Sequence, residues 1–225
     1  MKYKSVFDII GPITIGTPSA NGTPSANGVE ATKIGHIVRQ LFLKTPEKIE
    51  ISLYGAFKKT DCTFGSDVAL VGGILGLEMD DSLFSKALTI ATERGITVNC
   101  IEEIAKPSYP NTVKITLYKG EDKIEMIACS VGWGKIKVIE INGFDLNLNE
   151  TRSALLIMNN DHFGTISSVT SILATRKINI NMIRVSQKEK GKISLLVIET
   201  EELLNHEVIE EIKGLPKIYQ TLVLS

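Results

Sequence analysis

Three histidines and three cysteines are the side chains here best suited to move a proton or hold a metal. His36 falls on the polar side of a predicted helix and His206 at the start of the last one, so both read as surface residues. His162 lies in Asn159-Asn160-Asp161-His162-Phe163-Gly164-Thr165-Ile166, between an apolar run and a helical pattern, where it could approach a ligand. A glycine at such a junction lets a ligand reach the backbone, and amides at a helix N-terminus can bind a carboxylate. The alternative is that Gly164 only makes the turn. Cys62, Cys100 and Cys129 are widely separated, with no Cys-x-x-Cys pair. They read as reduced core residues rather than metal ligands.

The elements that would position these groups fall into two stretches, 1–150 and 151–225. In the first, Ile34, Ile37, Val38 and Leu41 predict an amphipathic helix over 29–43. Residues 48–57 read as a strand. The run 68–77 is apolar all round, and Gly72, Gly73 and Gly76 would permit close backbone packing if it is helical. A helix is expected over 82–95, started by Ser82 and ended by Gly95. Strands follow at 96–103, 111–118, 123–130 and 135–141. Asn142-Gly143 then predicts a two-residue hairpin turn into 144–149. The polar segment 147–152 reads as the boundary. Beyond it come a strand (153–159), a helix (165–177), two strands (180–186 and 192–200) joined by a turn at Lys190-Gly191, a helix capped by Asn205 and ended by Gly214, and a last strand (218–224). That order, β-α-β-β-α-β, is the ferredoxin-like plan, so the fold class is α+β, with a mixed α/β N-terminal domain.

The chain of 225 residues is 43% hydrophobic and 23% charged, with net charge −1. This balance suits a soluble globular protein and gives no basic field for nucleic acid. The longest apolar run is too short to span a bilayer, and the opening Met-Lys-Tyr-Lys-Ser-Val-Phe-Asp lacks a secretory pattern, so a cytoplasmic location is expected. One segment stands apart: Thr-Pro-Ser-Ala-Asn-Gly occurs twice, at 17–22 and 23–28. A Pro/Ser/Asn/Gly tract without an apolar face reads as a flexible loop.

The flanks of that repeat, 5–16 and 33–42, resemble the opening of the beta chain of bacterial iron–sulfur L-serine dehydratases. The likeness continues through 54–60, 67–76, 110–115 and 134–144. The same N-terminal domain is similar to the allosteric substrate-binding domain of D-3-phosphoglycerate dehydrogenases. The segment 159–166 and the strand at 178–186 resemble the ACT domain, whose first loop is usually Asp-x-Pro-Gly. Here Asp161 and Gly164 match, and Phe163 replaces the proline.

The resemblance implies a lyase subunit that converts L-serine to pyruvate and ammonia beside a separate alpha chain, which carries the 4Fe-4S cluster. It implies substrate contacts at Ser66, Asp67, Asn111, Thr112, Ser130 and Gly132. It implies effector contacts at Asn159, Asp161, Gly164, Thr165 and Ile166, with an amino acid as ligand, and a homodimer formed through the ACT domain. An exposed edge strand, 218–224 or 192–200, would need cover or pairing. The family's histidine positions are filled otherwise. Asn21 or Asn27 stands in the serine-rich loop, Phe64 in the Gly-His-Gly-Thr-Asp motif and Tyr109 in the His-Pro-Asn-Thr motif; Trp133 replaces a glycine of Ser-x-Gly-Gly-Gly. Phe64 and Trp133 are expected to crowd a pocket built around small residues. Neither can shuttle a proton, and tyrosine is a weak base near neutrality. By itself the chain is expected to be inactive. The alternative reading is a non-catalytic subunit that senses an amino acid or mediates assembly.

Overall fold

Helix α1 (Ala26–Phe42) is buried on every side along 29–38, polar residues Glu30, Thr32, Lys33 and His36 included. The structure, a computed structural model, describes residues 26–58, 65–109, 111–149, 153–187 and 193–224. The surface expected for His36 is therefore wrong: it is 6% exposed, because α1 packs between strands on one side and helix α2 (Ser66–Leu75) on the other. The two helices meet backbone to backbone. A Cβ on Gly35 would fall on the Leu70 carbonyl, and one on Gly73 on the Thr32 carbonyl and within 3.0 Å of the Gly35 Cα. Gly73 thus does what the sequence suggested, with Gly35 as its unforeseen counterpart. Gly72 instead makes room for the Phe84 ring. Gly76, at φ +75, closes α2 in a left-handed cap, its N–H directed to the Gly72 and Gly73 carbonyls.

Strands β1 (Lys48–Leu53), β2 (Thr97–Glu102), β3 (Thr112–Lys119), β4 (Asp122–Gly132), β5 (Lys135–Ile141) and β6 (Phe144–Asn149) form one sheet in the order β2-β1-β3-β4-β5-β6. β1 runs parallel to β2 and antiparallel to β3, and the β3–β4 and β4–β5 pairs are antiparallel. One row, including Ile49, Ile51, Val113, Ile115, Met126 and Val138, is buried beneath the helices. The alternate row carries Lys48, Glu50, Lys114 and Glu125, paired at 2.7 Å (Lys48–Glu50) and 3.1 Å (Lys114–Glu125). Such half-exposed pairs are screened by solvent and add little to stability.

Several boundaries differ from expectation. β1 stops at Leu53, and a 3-10 turn occupies Gly55–Lys58. The helix expected over 82–95 is a 3-10 turn at Phe84–Lys86 followed by α3 (Ala87–Glu93). Its entry is held by Asp81 rather than Ser82: the Asp81 Oδ1 accepts from the Leu83 N–H at 2.8 Å. Gly95 follows at φ +73. Asn142 and Gly143 have φ of +50 and +76, as the hairpin requires. β6 extends to Asn149, so half of the polar boundary segment is strand, its Leu146 and Leu148 buried.

The described residues divide into two compact units, one comprising residues up to Asn142 with 147–149, the other residues from 153 onward with Gly143–Leu146. The second contains β7 (Ala154–Asn160), α4 (Thr165–Thr175), β8 (Ile180–Gln187), β9 (Ile193–Thr200), α5 (His206–Lys213) and β10 (Ile218–Leu224). Its sheet order, β10-β7-β9-β8, completes the ferredoxin-like plan. Leu155, Ile157, Leu196 and Ile198 from the strands pack on Val169, Leu173, Val208 and Ile212 from the helices. Asn205 caps α5, its Oδ1 accepting from the Val208 N–H at 3.0 Å. β9 lies inside the sheet, so of the two strands expected as edges only β10 is one; the other edge is β8. The turn at Lys190-Gly191 lies outside the described residues.

Candidate functional site

The pairing of β1 with β2, and of β3 with β4, brings the C-terminal ends of β1, β2 and β4 and the N-terminal end of β3 to one rim of the sheet. Tyr109, Asn111, Thr112, Ser130 and Gly132 all lie there. The Ser130 N–H donates to the Asn111 carbonyl at 2.9 Å, and the Tyr54 N–H to the Thr112 carbonyl at 2.9 Å. The Thr112 hydroxyl donates to the Tyr109 carbonyl at 2.7 Å. Two sequence segments eighteen residues apart at Thr112 and Ser130 thus become neighbours through an antiparallel ladder.

Strand alternation divides these side chains between two faces. Ser130 projects with Ala128 toward the helices, whereas Thr112, Cys129 and Lys137 project to the other face. Tyr109 joins that second group: the Lys137 ammonium donates to its hydroxyl at 3.0 Å and sits 5.0 Å from its ring centroid.

The turn after β4 is gripped from the helix side. Gly132, Trp133 and Gly134 are consecutive left-handed residues, with φ of +87, +60 and +72. That is a costly conformation for tryptophan. The Gly134 N–H donates to the Glu30 Oε1 at 2.9 Å, and the Lys33 ammonium to the Gly134 carbonyl at 2.9 Å. Ser130 Oγ accepts from the Gly132 N–H at 3.2 Å, which leaves its own O–H to donate elsewhere. Trp133 does not fill a pocket, contrary to expectation: its side chain is 78% exposed, because the left-handed turn points it outward. Glu30, Lys33 and Lys137 gave no sequence signal of their roles. The first two sit on what reads as a polar helix face, and Lys137 is one of several lysines alternating along a strand.

Ser66 and Asp67 open α2, where Ser66 is buried and the Asp67 Oδ1 accepts from the Val68 N–H at 2.9 Å. Asn27 falls in the first turn of α1, so residues 26–28, the last three of the second copy of the repeat, are helix instead of loop. Asn21, Cys62 and Phe64 lie outside the described residues.

The two cysteines among the described residues, Cys100 and Cys129, do not come together as an iron–sulfur cluster requires. Such clusters need thiolates gathered at one point. Cys100 on β2 and Cys129 on β4 are three strand spacings apart, roughly 14 Å, and face opposite sides of the sheet. Cys129 is buried as expected, but Cys100 is exposed, because β2 is an edge strand. Desolvation, then the Asp67 and Glu102 carboxylates, push the Cys100 thiol up to about 11. Burial raises that of Cys129 against the opposing pull of Lys137.

In the C-terminal unit, Gly164 has φ +88, and a Cβ there would meet nothing within 4 Å. It caps α4 beside open space. Asp161 and the Phe163 ring are exposed, and Ile166 is 44% exposed. Thr165 is tied back, its hydroxyl donating to the His162 carbonyl at 3.2 Å. Asn159 is buried, its Oδ1 accepting from the Ser194 hydroxyl at 2.9 Å, so its carbonyl amide is committed to the sheet. His206 is exposed, as anticipated.

Comparison with known proteins places these features in context. Residues 30–142 match the D-3-phosphoglycerate dehydrogenase intervening domain, and residues 153–217 match the ACT domain. The chain is 40% identical over 220 residues to the probable L-serine dehydratase beta chain of Bacillus subtilis, covering 98% of this chain and 97% of that one. It is 29% identical over 215 residues to the L-serine dehydratase beta chain of Peptoniphilus asaccharolyticus, covering 95% and 94%. Bacillus subtilis D-3-phosphoglycerate dehydrogenase is 26% identical over 189 residues, which cover 84% of this chain and 36% of that enzyme.

Proposed function

Because this chain belongs to the family of L-serine dehydratase beta chains, we propose that it works as the beta subunit of an L-serine dehydratase, beside a separate alpha chain that carries a 4Fe-4S cluster. The overall reaction removes the α-proton and the β-hydroxyl of L-serine. The enamine so formed tautomerises and hydrolyses to pyruvate and ammonia, and the water lost is regained. The cluster supplies a Lewis acid for the departing hydroxyl.

One observation carries the part assigned to this chain: Ser130, with a hydroxyl proton left to donate, stands on a rim whose turn is fixed by Glu30 and Lys33. Ser130 is assigned to the substrate carboxylate, and Asn111, Gly132 and the Ser66-Asp67 helix start to the remainder of the substrate surface. Thr112 serves the rim by holding the Tyr109 backbone. Tyr109, occupied by Lys137 on the opposite face, is not assigned the proton. His36 is enclosed in α1, and His162 and His206 belong to the C-terminal unit. No histidine of the N-terminal unit stands on this rim among the described residues, and the base is assigned to the alpha chain.

The test is reconstitution. The purified chain mixed with a cluster-loaded alpha chain from the same source is expected to form pyruvate from L-serine, and neither chain alone to do so. A stable pair that forms no pyruvate would instead favour a role in assembly or sensing. The ACT unit is assigned a second copy of itself as partner, through its open edges β8 and β10, and an amino acid as ligand at Asp161 and Gly164 to Ile166. Sedimentation with and without amino acids tests both; a monomer under each condition overturns them.

A further inference from the structure

A cavity of about 340 Å3 lies near the C-terminal end of α1, lined in part by Arg39, Lys44 and Arg94. Its lining on this helix begins at Arg39, roughly 9 Å along the axis from Lys33 at 1.5 Å per residue. Among the described residues, neither guanidinium has a carboxylate partner, whereas Lys44 pairs with the exposed Asp122. A cavity lined by two arginines without carboxylate partners favours an anion.

A glycine leaves room for Arg39. A Cβ on Gly76 would come within 2.6 Å of the Arg39 Nη1, so the guanidinium lies directly against glycine backbone. Gln40 Oε1 is buried with no hydrogen-bond partner; turning that amide over would present its N–H groups instead. Leu43, Pro46, Ile74 and Leu75 supply the apolar part of the lining. Leu43 is held at φ +58 and is 72% exposed. Helix C-termini attract cations, which accounts for a basic residue near each helix end. It does not account for a cavity that both basic residues line together with apolar side chains.

We propose that this cavity binds a small anionic metabolite, its carboxylate or phosphate between Arg39 and Arg94 and its short carbon body against Leu43 and Ile74. Both head groups match the guanidinium fork. The inference does not depend on the serine dehydratase assignment, because every residue in it lies apart from the rim described above.

Isothermal titration of the full chain in low-chloride buffer tests it, with inorganic phosphate and pyruvate as separate probes. At least one probe is expected to bind with a Kd in the millimolar range or tighter, and which one binds identifies the head group. R39Q and R94Q are each expected to weaken that binding about tenfold or more. Arg94 ends a surface helix, so R94Q keeps the test valid if R39Q fails to fold. Absence of binding by both probes at roughly 10 mM, or binding that R94Q leaves unchanged, overturns the proposal.

Discussion

Lys33 and Gly134 lie 101 positions apart in sequence, yet the Lys33 ammonium donates to the Gly134 carbonyl at 2.9 Å. Glu30, one helical turn earlier, takes the N–H of the same glycine. The backbone of one residue in the β4–β5 turn is thus held at both its N–H and its carbonyl by a single face of α1. Lys33→Met leaves that carbonyl without its cation and is expected to lower stability by roughly 2–4 kcal/mol. Glu30→Gln keeps an acceptor oxygen and should cost less. Urea unfolding of the two variants checks the order; equal and negligible effects would show that the clamp does not hold the turn.

The α1–α2 crossing should be intolerant of a single methyl group. Gly73→Ala and Gly35→Ala each place a carbon on backbone of the facing helix, which cannot swing aside as a side chain can. Each is expected to cost at least about 1–3 kcal/mol. Gly72→Ala meets only the Phe84 ring, at 2.6 Å, and should cost less if that ring rotates. Thermal melts rank the three, and a Gly72 variant less stable than the other two would contradict the crossing.

Catalytic variants distinguish the two faces of the rim. In the reconstituted pair, Ser130→Ala is expected to lower kcat/KM by roughly 10- to 100-fold, the loss of one hydrogen bond to a charged group. Tyr109→Phe should cost no more than about threefold, less than 1 kcal/mol. If the Tyr109 variant is the more damaged, the tyrosine and not the serine meets the substrate.

Burial, and then the positive charge of Arg39, hold the His36 pKa below its ordinary 6.5. The unfolded chain therefore takes up this proton at a higher pH than the folded one. Stability is full above about 6.5 and falls as pH drops from there toward the lowered folded value. His36→Met should flatten this part of the profile. Melting temperatures of both proteins between pH 7.5 and 5 (roughly the histidine range) provide the measurement, and parallel curves would remove His36 as the cause.

The sequence by itself determined the elements whose signals are local. Alternation fixed most strands, Asn142-Gly143 fixed its turn because both residues must take positive φ, and Asn205 fixed the start of α5. The ferredoxin-like order of the C-terminal unit followed from element order alone, and motif spacing carried the family. What the tertiary structure decided was which polar residues are inside. His36, Glu30 and Lys33 look like the wet side of an amphipathic helix, but α1 has no wet side along its middle, because α2 covers it through a glycine contact. The face on which each rim residue projects depends on register between strands distant in sequence, so Ser130 and Tyr109 parted company only in three dimensions. Trp133 looked like bulk in a pocket and is bulk in solvent, since one left-handed turn decides the direction of its side chain. Local pattern specifies how a segment folds; burial and direction depend on what packs against it.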